Sequence, residues 1–307
     1  MRAAAILGLG SSIRDLKPFQ NHHPEITWSL GLPACGTSDS VLIFGGDGTV
    51  HRHLAPLVEL GVPVLVVPRG SGNDFARALG IHSVQDALRA WQSFVAGQPT
   101  MRSIDLGCIE PLPAGTSSLG NQQLANAVAS KHYFCCVAGV GLDAEVTALA
   151  NRLPPWLRGH GGYALSLPVG LSHFNACQVT ILEGSLTDPK AFTERYSRPA
   201  LLAAVANTPT YGGGMRIAPR AALDDGLLDV CIVGKIPKFK LLALFPTVYM
   251  GRHLGLKQVD YFQVKGIRIQ TPTPIDVYAD GEYVCQTPVQ VSVVPHALSV
   301  IAPRSLG

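Results

Sequence analysis

The chain has 307 residues, 47% of them hydrophobic and 15% charged, with a formal net charge of +3 at pH 7. That length exceeds one compact core and predicts two domains, and the composition predicts packed globular structure rather than disorder. The mild positive charge comes without Lys/Arg blocks or interleaved aromatics, which argues against nucleic acid while suiting anionic phosphates or lipid headgroups.

The opening "MRAAAILGLGSS" holds an apolar run too short for a signal peptide and reads as a first parallel strand. Through residue 100, the apolar runs "RAAAIL", "EITWSL", "VLIF" and "VPVLVV" read as strands, and "VHRHLAPLVELG" and "DFARALG" as helices. This βαβ alternation predicts a parallel sheet. From residue 101 the texture becomes strand- and hairpin-rich, with helical stretches at 143–151, 162–172 and 238–250, and predicts a mainly antiparallel second domain. The polar stretches 110–128 and 183–199 read as loops. Seven cysteines without Cys-x-x-Cys spacing or neighbouring histidines read as reduced thiols of a cytosolic protein. No stretch approaches the roughly 20 apolar residues of a spanning helix, so any membrane contact is expected from outside.

Two stretches carry the chemistry. In "VLIFGGDGTVHR" a buried strand runs into Gly-Gly-Asp-Gly-Thr and then a helix, a turn whose backbone N–H groups can approach an anion with the helix dipole behind them. Asp47 inside that cradle would be repelled by a phosphate, so it is expected to hold Mg²⁺ or orient the acceptor; a tight turn with an aspartate cap is the plainer alternative. "VPRGSGNDFARALG" repeats strand, glycine turn and helix, with Ser71, Asn73 and Asp74 at the turn. Two such turns on successive strands converge at one sheet edge, where open α/β sheets bind ligands. No Gly-x-x-x-x-Gly-Lys-Ser/Thr loop occurs, so this is not a P-loop kinase. His51 and His53 read as ordinary surface or core histidines. The apolar Trp156, Tyr163, Leu165 and Leu167 read as core, with an acyl-chain cleft as the alternative.

With "GGDGT" at 45–49, "GSGNDFAR" at 70–77, "IDLG" at 104–107, "YGGGMRIAPRAALDDGLLDV" at 211–230 and "DGE" at 280–282, the chain resembles the diacylglycerol kinase catalytic-domain family, bacterial lipid kinases related to sphingosine and ceramide kinases. The resemblance implies an α/β nucleotide-binding domain over 1–100, of NAD-kinase/phosphofructokinase-like parallel sheet. It implies a β-sandwich lipid-substrate domain over 101–295 and a strand near 296–307 returning to the first domain. It places Thr27, Gly45, Gly46, Asp47, Gly48, Thr49, Ser71, Asn73 and Asp74 at ATP-binding positions. Asp105 matches an acidic position near the phosphates. Glu282 falls on the proton acceptor, with Asp47 as its catalytic companion; on spacing alone Glu282 reads as the exposed residue after an Asp-Gly hairpin. Asp225, with the carbonyls of Ala222 and Leu227, falls on a Mg²⁺ site.

The chain departs from the family in lacking the usual Asn-Pro-x-Ser/Ala-Gly turn after its first strand, and in the short span from that strand to Gly45. Arg14, Lys17 or Arg69 are expected to replace the missing phosphate contacts. The activity implied is ATP- and Mg²⁺-dependent phosphorylation of a diacylglycerol-like lipid at the inner membrane face, with peripheral membrane contact, no nucleic acid, and a homodimer compatible with it. The alternatives are kinases of NAD or a soluble polyol, and a non-catalytic nucleotide- or lipid-binding protein.

Overall fold

The computed structural model describes residues 1–113, 130–153, 162–184 and 192–303. The amino-terminal strands are β1 (Arg2–Leu7), β2 (Thr27–Leu30), β3 (Ser40–Gly45) and β4 (Val64–Pro68). They pair in parallel in the order β4-β3-β1-β2. β3 is buried from end to end, the mark of a strand covered on both faces. Helix α1 (Ile13–Asn21) lies between β1 and β2. No helix intervenes between β2 and β3, matching the short span noted in the sequence. Helices α2 (Asp47–Leu60) and α3 (Asp74–Ala78) follow β3 and β4. A helix that the sequence reading did not separate, α4 (Val84–Val95), is capped by the Ser83 side chain accepting the Asp86 N–H and buries Trp91.

The second half is antiparallel. Strand β5 (Met101–Pro111) leads to β6 (His132–Phe134) and β7 (Val137–Gly141), then to helices α5 (Leu142–Asn151) and α6 (Gly162–His173). Strands β8 (Cys177–Glu183), β9 (Thr193–Ala206) and β10 (Leu228–Gly234) follow. The stretch 183–199 expected as a loop is therefore largely strand from residue 193, because its β-branched and aromatic residues pair with β8. The expected helix at 238–250 breaks at Pro246 into α7 (Lys238–Leu244) and α8 (Pro246–Tyr249), where proline suits a first helical turn but not an interior. Strands β11 (Val259–Val264), β12 (Gly266–Gln270), β13 (Asp276–Ala279), β14 (Glu282–Gln286) and β15 (Val289–Ile301) complete the chain.

β15 joins the halves. Its first part pairs with β12, its length pairs with β5 across an irregularity between Val294 and Leu298, and Val300 pairs in parallel with Val64 of β4. The result is one continuous sheet of 15 strands, parallel at one end and antiparallel at the other. Aliphatic side chains of β8, β9, β10, β12, β13 and β15 form a separate buried cluster, the interior of the carboxyl-terminal β-sandwich. No helix of the described residues is long and apolar enough to cross a membrane.

Candidate active site

Three strand-to-helix turns meet at the cleft between the two halves. The first leaves β3 at Gly45 and enters α2 through Gly46; the second leaves β4 and enters α3 through Asn73. Gly45 and Pro68 are register partners, so the turns lie side by side, and a Cβ on Gly46 would fall 2.8 Å from the Gly70 Cα. Only glycine permits that approach. Asn73 adopts φ +53° and holds its own turn, accepting the Gly70 N–H at 2.8 Å and donating to the Gly70 carbonyl at 2.6 Å. The third turn runs from β7 through Gly141, φ +86°, into α5 and brings Asp143 to the cleft. The sequence reading passed over it, although "VAGVGLD" has the same strand, glycine and helix order.

The carboxylates here act first on the backbone. Asp47 accepts the Asp74 and Phe75 N–H groups at 3.0 Å each, so it caps α3 rather than its own helix and locks the two turns together. Burial, reinforced by the charge of Asp74, raises its pKa to about 6 despite those N–H donors. Asp74 accepts the Gly213 N–H at 2.8 Å from the facing half and pairs with Arg77. Asp143 accepts the Tyr211 hydroxyl.

Asp280 is the most enclosed. Its side chain is 0% exposed, and it accepts the N–H groups of Cys135 and Cys136 at 2.8 Å and of Val137 at 3.2 Å. His51 Nδ1 approaches it at 3.1 Å from α2. Burial alone would lower His51, but the hydrogen bond and charge of Asp280 outweigh it and hold the imidazole above its ordinary value. His51 is therefore a tie between the halves, not the ordinary histidine expected; its placement four residues after Asp47, in the first turns of α2, is the signal that could have found it. His53 bonds back to the Thr49 carbonyl.

Glu282 behaves differently. Asp280 and Gly281, at φ +50° and +90°, form the tight turn between β13 and β14, so the Asp-Gly hairpin is real, and it presents Glu282 to the cleft. The glutamate side chain is 43% exposed, and its nearest ionic neighbour is Arg52, at 4.0 Å. A Cβ on Gly48 would stand 2.9 Å from Glu282 Oε1, so the glycine makes room for that carboxylate. Arg52 is itself anchored by donating to the Gly48 carbonyl at 2.9 Å.

The cleft so formed has a volume of about 340 Å³. Gly46, Asp47, Gly48, Thr49, Ser71 and Asp74 line it as expected, while Gly45 and Asn73 support it from behind. Thr27 does not reach it. It pairs with Arg2, at the start of parallel strands whose other ends carry the glycine turns. Nor does Asp105 line it: fully buried, it accepts the N–H groups of Gly226 and His296 at 2.7 and 2.8 Å. It thereby fixes the turn carrying Ala222, Asp225 and Leu227, where Asp225 is exposed and accepts the Leu227 N–H at 3.0 Å. Arg69 is paired with Asp15, and among the described residues Arg52 is the cation on the cleft wall. Trp156 lies outside the described residues, as does the side chain of Tyr163.

The thiols of Cys135 and Cys136 converge with Asp280, but three N–H groups and His51 already occupy that carboxylate. Despite the hydrogen bond from Cys135, burial and the nearby carboxylates push the Cys136 thiol up to about 12. Neutral thiols beside a filled carboxylate do not suit a metal.

A second, apolar cavity lies behind Tyr211, which lines both spaces. Leu142 and Leu167 wall it on one side, and Leu241, Leu244 and Val248 on the other.

A parallel sheet with glycine turns at its strand ends, facing a sandwich that supplies a hairpin carboxylate, defines a phosphotransferase. Residues 136–302 match the YegS C-terminal NAD kinase beta sandwich-like domain, and residues 23–109 match the diacylglycerol kinase catalytic domain. The chain belongs to this family of lipid kinases. A diacylglycerol kinase of Mycobacterium tuberculosis is 34% identical over 268 residues, covering 87% of this chain and 78% of its own. The putative lipid kinase YtlR of Bacillus subtilis is 28% identical over 266 residues, covering 85% and 79%. The crystal structure of a putative diacylglycerol kinase from Bacillus anthracis shares the fold, with a TM-score of 0.71 at 20% identity over 100% of this chain and 98% of that one. An NAD kinase from Archaeoglobus fulgidus in complex with ATP superposes with a TM-score of 0.52 at 14% identity over 99% and 94%.

Proposed function

We propose that the protein transfers the γ-phosphoryl group of ATP, taken as its Mg²⁺ complex, to a hydroxyl of a diacylglycerol-like lipid. The observation that carries this reading is Glu282. Asp47, Asp74, Asp143 and Asp280 are committed to N–H or O–H donors, whereas Glu282 stands half exposed at the cleft mouth with only a distant guanidinium for company. A carboxylate so placed can accept the proton of an attacking hydroxyl, or orient that hydroxyl.

The electrostatics favour a metal-complexed nucleotide. Among the described residues, five carboxylates line the cleft against one guanidinium, that of Arg52, so a bare polyphosphate would be repelled. A divalent cation fits these hard oxygen donors, and it would supply charge neutralisation at the β- and γ-phosphates. Gly46 and Gly48 would bring backbone N–H groups and the amino end of α2 close to the phosphates, and Ser71 and Thr49 would add hydroxyls. The exposed carboxylate of Asp225, with the carbonyls of Ala222 and Leu227, would hold a second, structural Mg²⁺; the donor set is again all oxygen, and Asp105 fixes its turn.

The apolar cavity behind Tyr211 supports a lipid over NAD or a polyol, since an acyl chain lodged there would bring its hydroxyl to the cleft side of Tyr211. The test is transfer of radiolabelled γ-phosphate to a panel of detergent-dispersed diacylglycerol, phosphatidylglycerol and sphingoid bases, with NAD beside them. Label in one lipid, abolished by Glu282→Gln, is expected; label in NAD alone, or nucleotide binding without transfer, would overturn the reading.

A further inference from the structure

The two helices over the apolar cavity are apolar on both faces. Leu167 on α6 and Leu241 and Leu244 on α7 point into the cavity, yet Leu165 and Val169 on α6 are 55% and 51% exposed. On α7, Phe239 is 76% and Leu242 41% exposed, and Tyr249 at the end of α8 and Met250 just beyond it continue the row at 38% and 53%. The cavity covers only one side of these helices, so their outward apolar side chains meet water beside exposed lysines. The Lys238 ammonium donates to the Ser172 carbonyl at 2.9 Å, so α6 and α7 are tied into one surface.

The chain segment that carries α7 and α8 has charge of one sign. Residues 235–257 include Lys235, Lys238, Lys240, Arg252 and Lys257, all exposed, and no acidic residue. The patch also borders the cleft: burial raises the Tyr249 phenol, and the charge of Asp74 adds to it.

We propose that α6, α7 and α8 form a lip that docks onto an anionic lipid bilayer, sinking Phe239, Leu242, Leu165 and Val169 into the headgroup–acyl boundary while the lysines meet the headgroups. This rests on the lipid-kinase reading and specifies how the substrate arrives. Exposed apolar side chains ringed by lysines are the interfacial pattern, and each basic residue near an anionic surface adds to the attraction. A second copy of the chain fits worse, because a twofold contact would set like charges against one another. Docked this way, an acyl chain would pass from the bilayer into the cavity beneath α6 and α7 without crossing water.

The experiment is flotation of the full chain with phosphatidylcholine vesicles, with and without about one third phosphatidylglycerol. The chain is expected to float with the anionic vesicles and to be released by salt. Phe239→Ser with Leu242→Ser should weaken binding at least tenfold, and Lys240→Glu at least fivefold, on anionic vesicles only. All three residues are exposed, so the variants should keep wild-type circular dichroism. Transfer to a freely soluble short-chain diacylglycerol, measured in parallel, should be unchanged by them. If that transfer occurs but vesicle binding is absent or indifferent to these variants, docking is wrong and the kinase reading stands. If Phe239→Ser instead turns a dimer into a monomer, the patch is a subunit interface and the proposal falls. If vesicles bind as expected but no lipid is phosphorylated, docking survives and the kinase reading falls.

Discussion

The cleft and the cavity on either side of Tyr211 are built on opposite terms. In the cleft the aspartates are fixed: Asp47, Asp74 and Asp280 each accept two or more donors, and glycines touch where side chains would collide. In the cavity the walls are mostly apolar, with Tyr211, His253 and Gln258 as the exceptions, and shape does most of the selecting. The difference teaches that phosphoryl transfer asks for fixed positions, because its barrier is lowered by placement and charge, whereas acyl chains ask only for apolar area.

That contrast can be broken at several points. The largest effect is expected from Glu282→Gln, which should lower turnover by roughly two to four orders of magnitude while calorimetry still detects ATP binding, since the glutamate holds up nothing else. Asp280→Ala should leave three buried N–H groups and His51 without their acceptor, destabilising the protein by about 3–5 kcal/mol in urea unfolding. Gly46→Ala should cost about 1–3 kcal/mol and weaken nucleotide affinity, because the new methyl drives the two turns apart. On the apolar side, Leu244→Trp should raise KM for long-chain lipids about tenfold while sparing short-chain ones, a split that steady-state kinetics would read. The smallest effect is a slope. His51 is raised in the folded state, so its contribution to stability is fully present below about pH 6.5, its unfolded value, and fades as pH rises through its folded value. Denaturation midpoints followed across that range should lose this dependence in His51→Gln.

The glycine turns were legible because they are local: strand, glycines and helix follow within a dozen residues, and buried β3 declares itself as an unbroken apolar run. Glu282 was legible only through the resemblance, since its spacing equally announces the hairpin it also forms. Thr27 was misplaced because a strand's polarity within a parallel sheet decides which end reaches the cleft, and four residues do not show that. The role of Asp280 depends on Cys135, Cys136, Val137 and His51, partners up to 229 residues away, and no short window contains it. Asp105 looks like a phosphate neighbour for the same reason: its donors, Gly226 in a turn and His296 at the irregularity of β15, are distant in sequence. Pro246 was readable in principle as a helix start, yet the apolar run around it masked the break.

The pairing of Val300 with Val64 also bears on how the chain is made. The parallel sheet cannot acquire β15 beside β4 until the ribosome has delivered Val300, and closing so long a loop is slow. The glycine turns therefore emerge early but wait for their facing hairpin, which arrives only some twenty residues before that strand ends. A chain cut before residue 282 would keep the glycine turns but lack the carboxylate that faces Gly48, so on the proposed reading half of the site would stand without its counterpart.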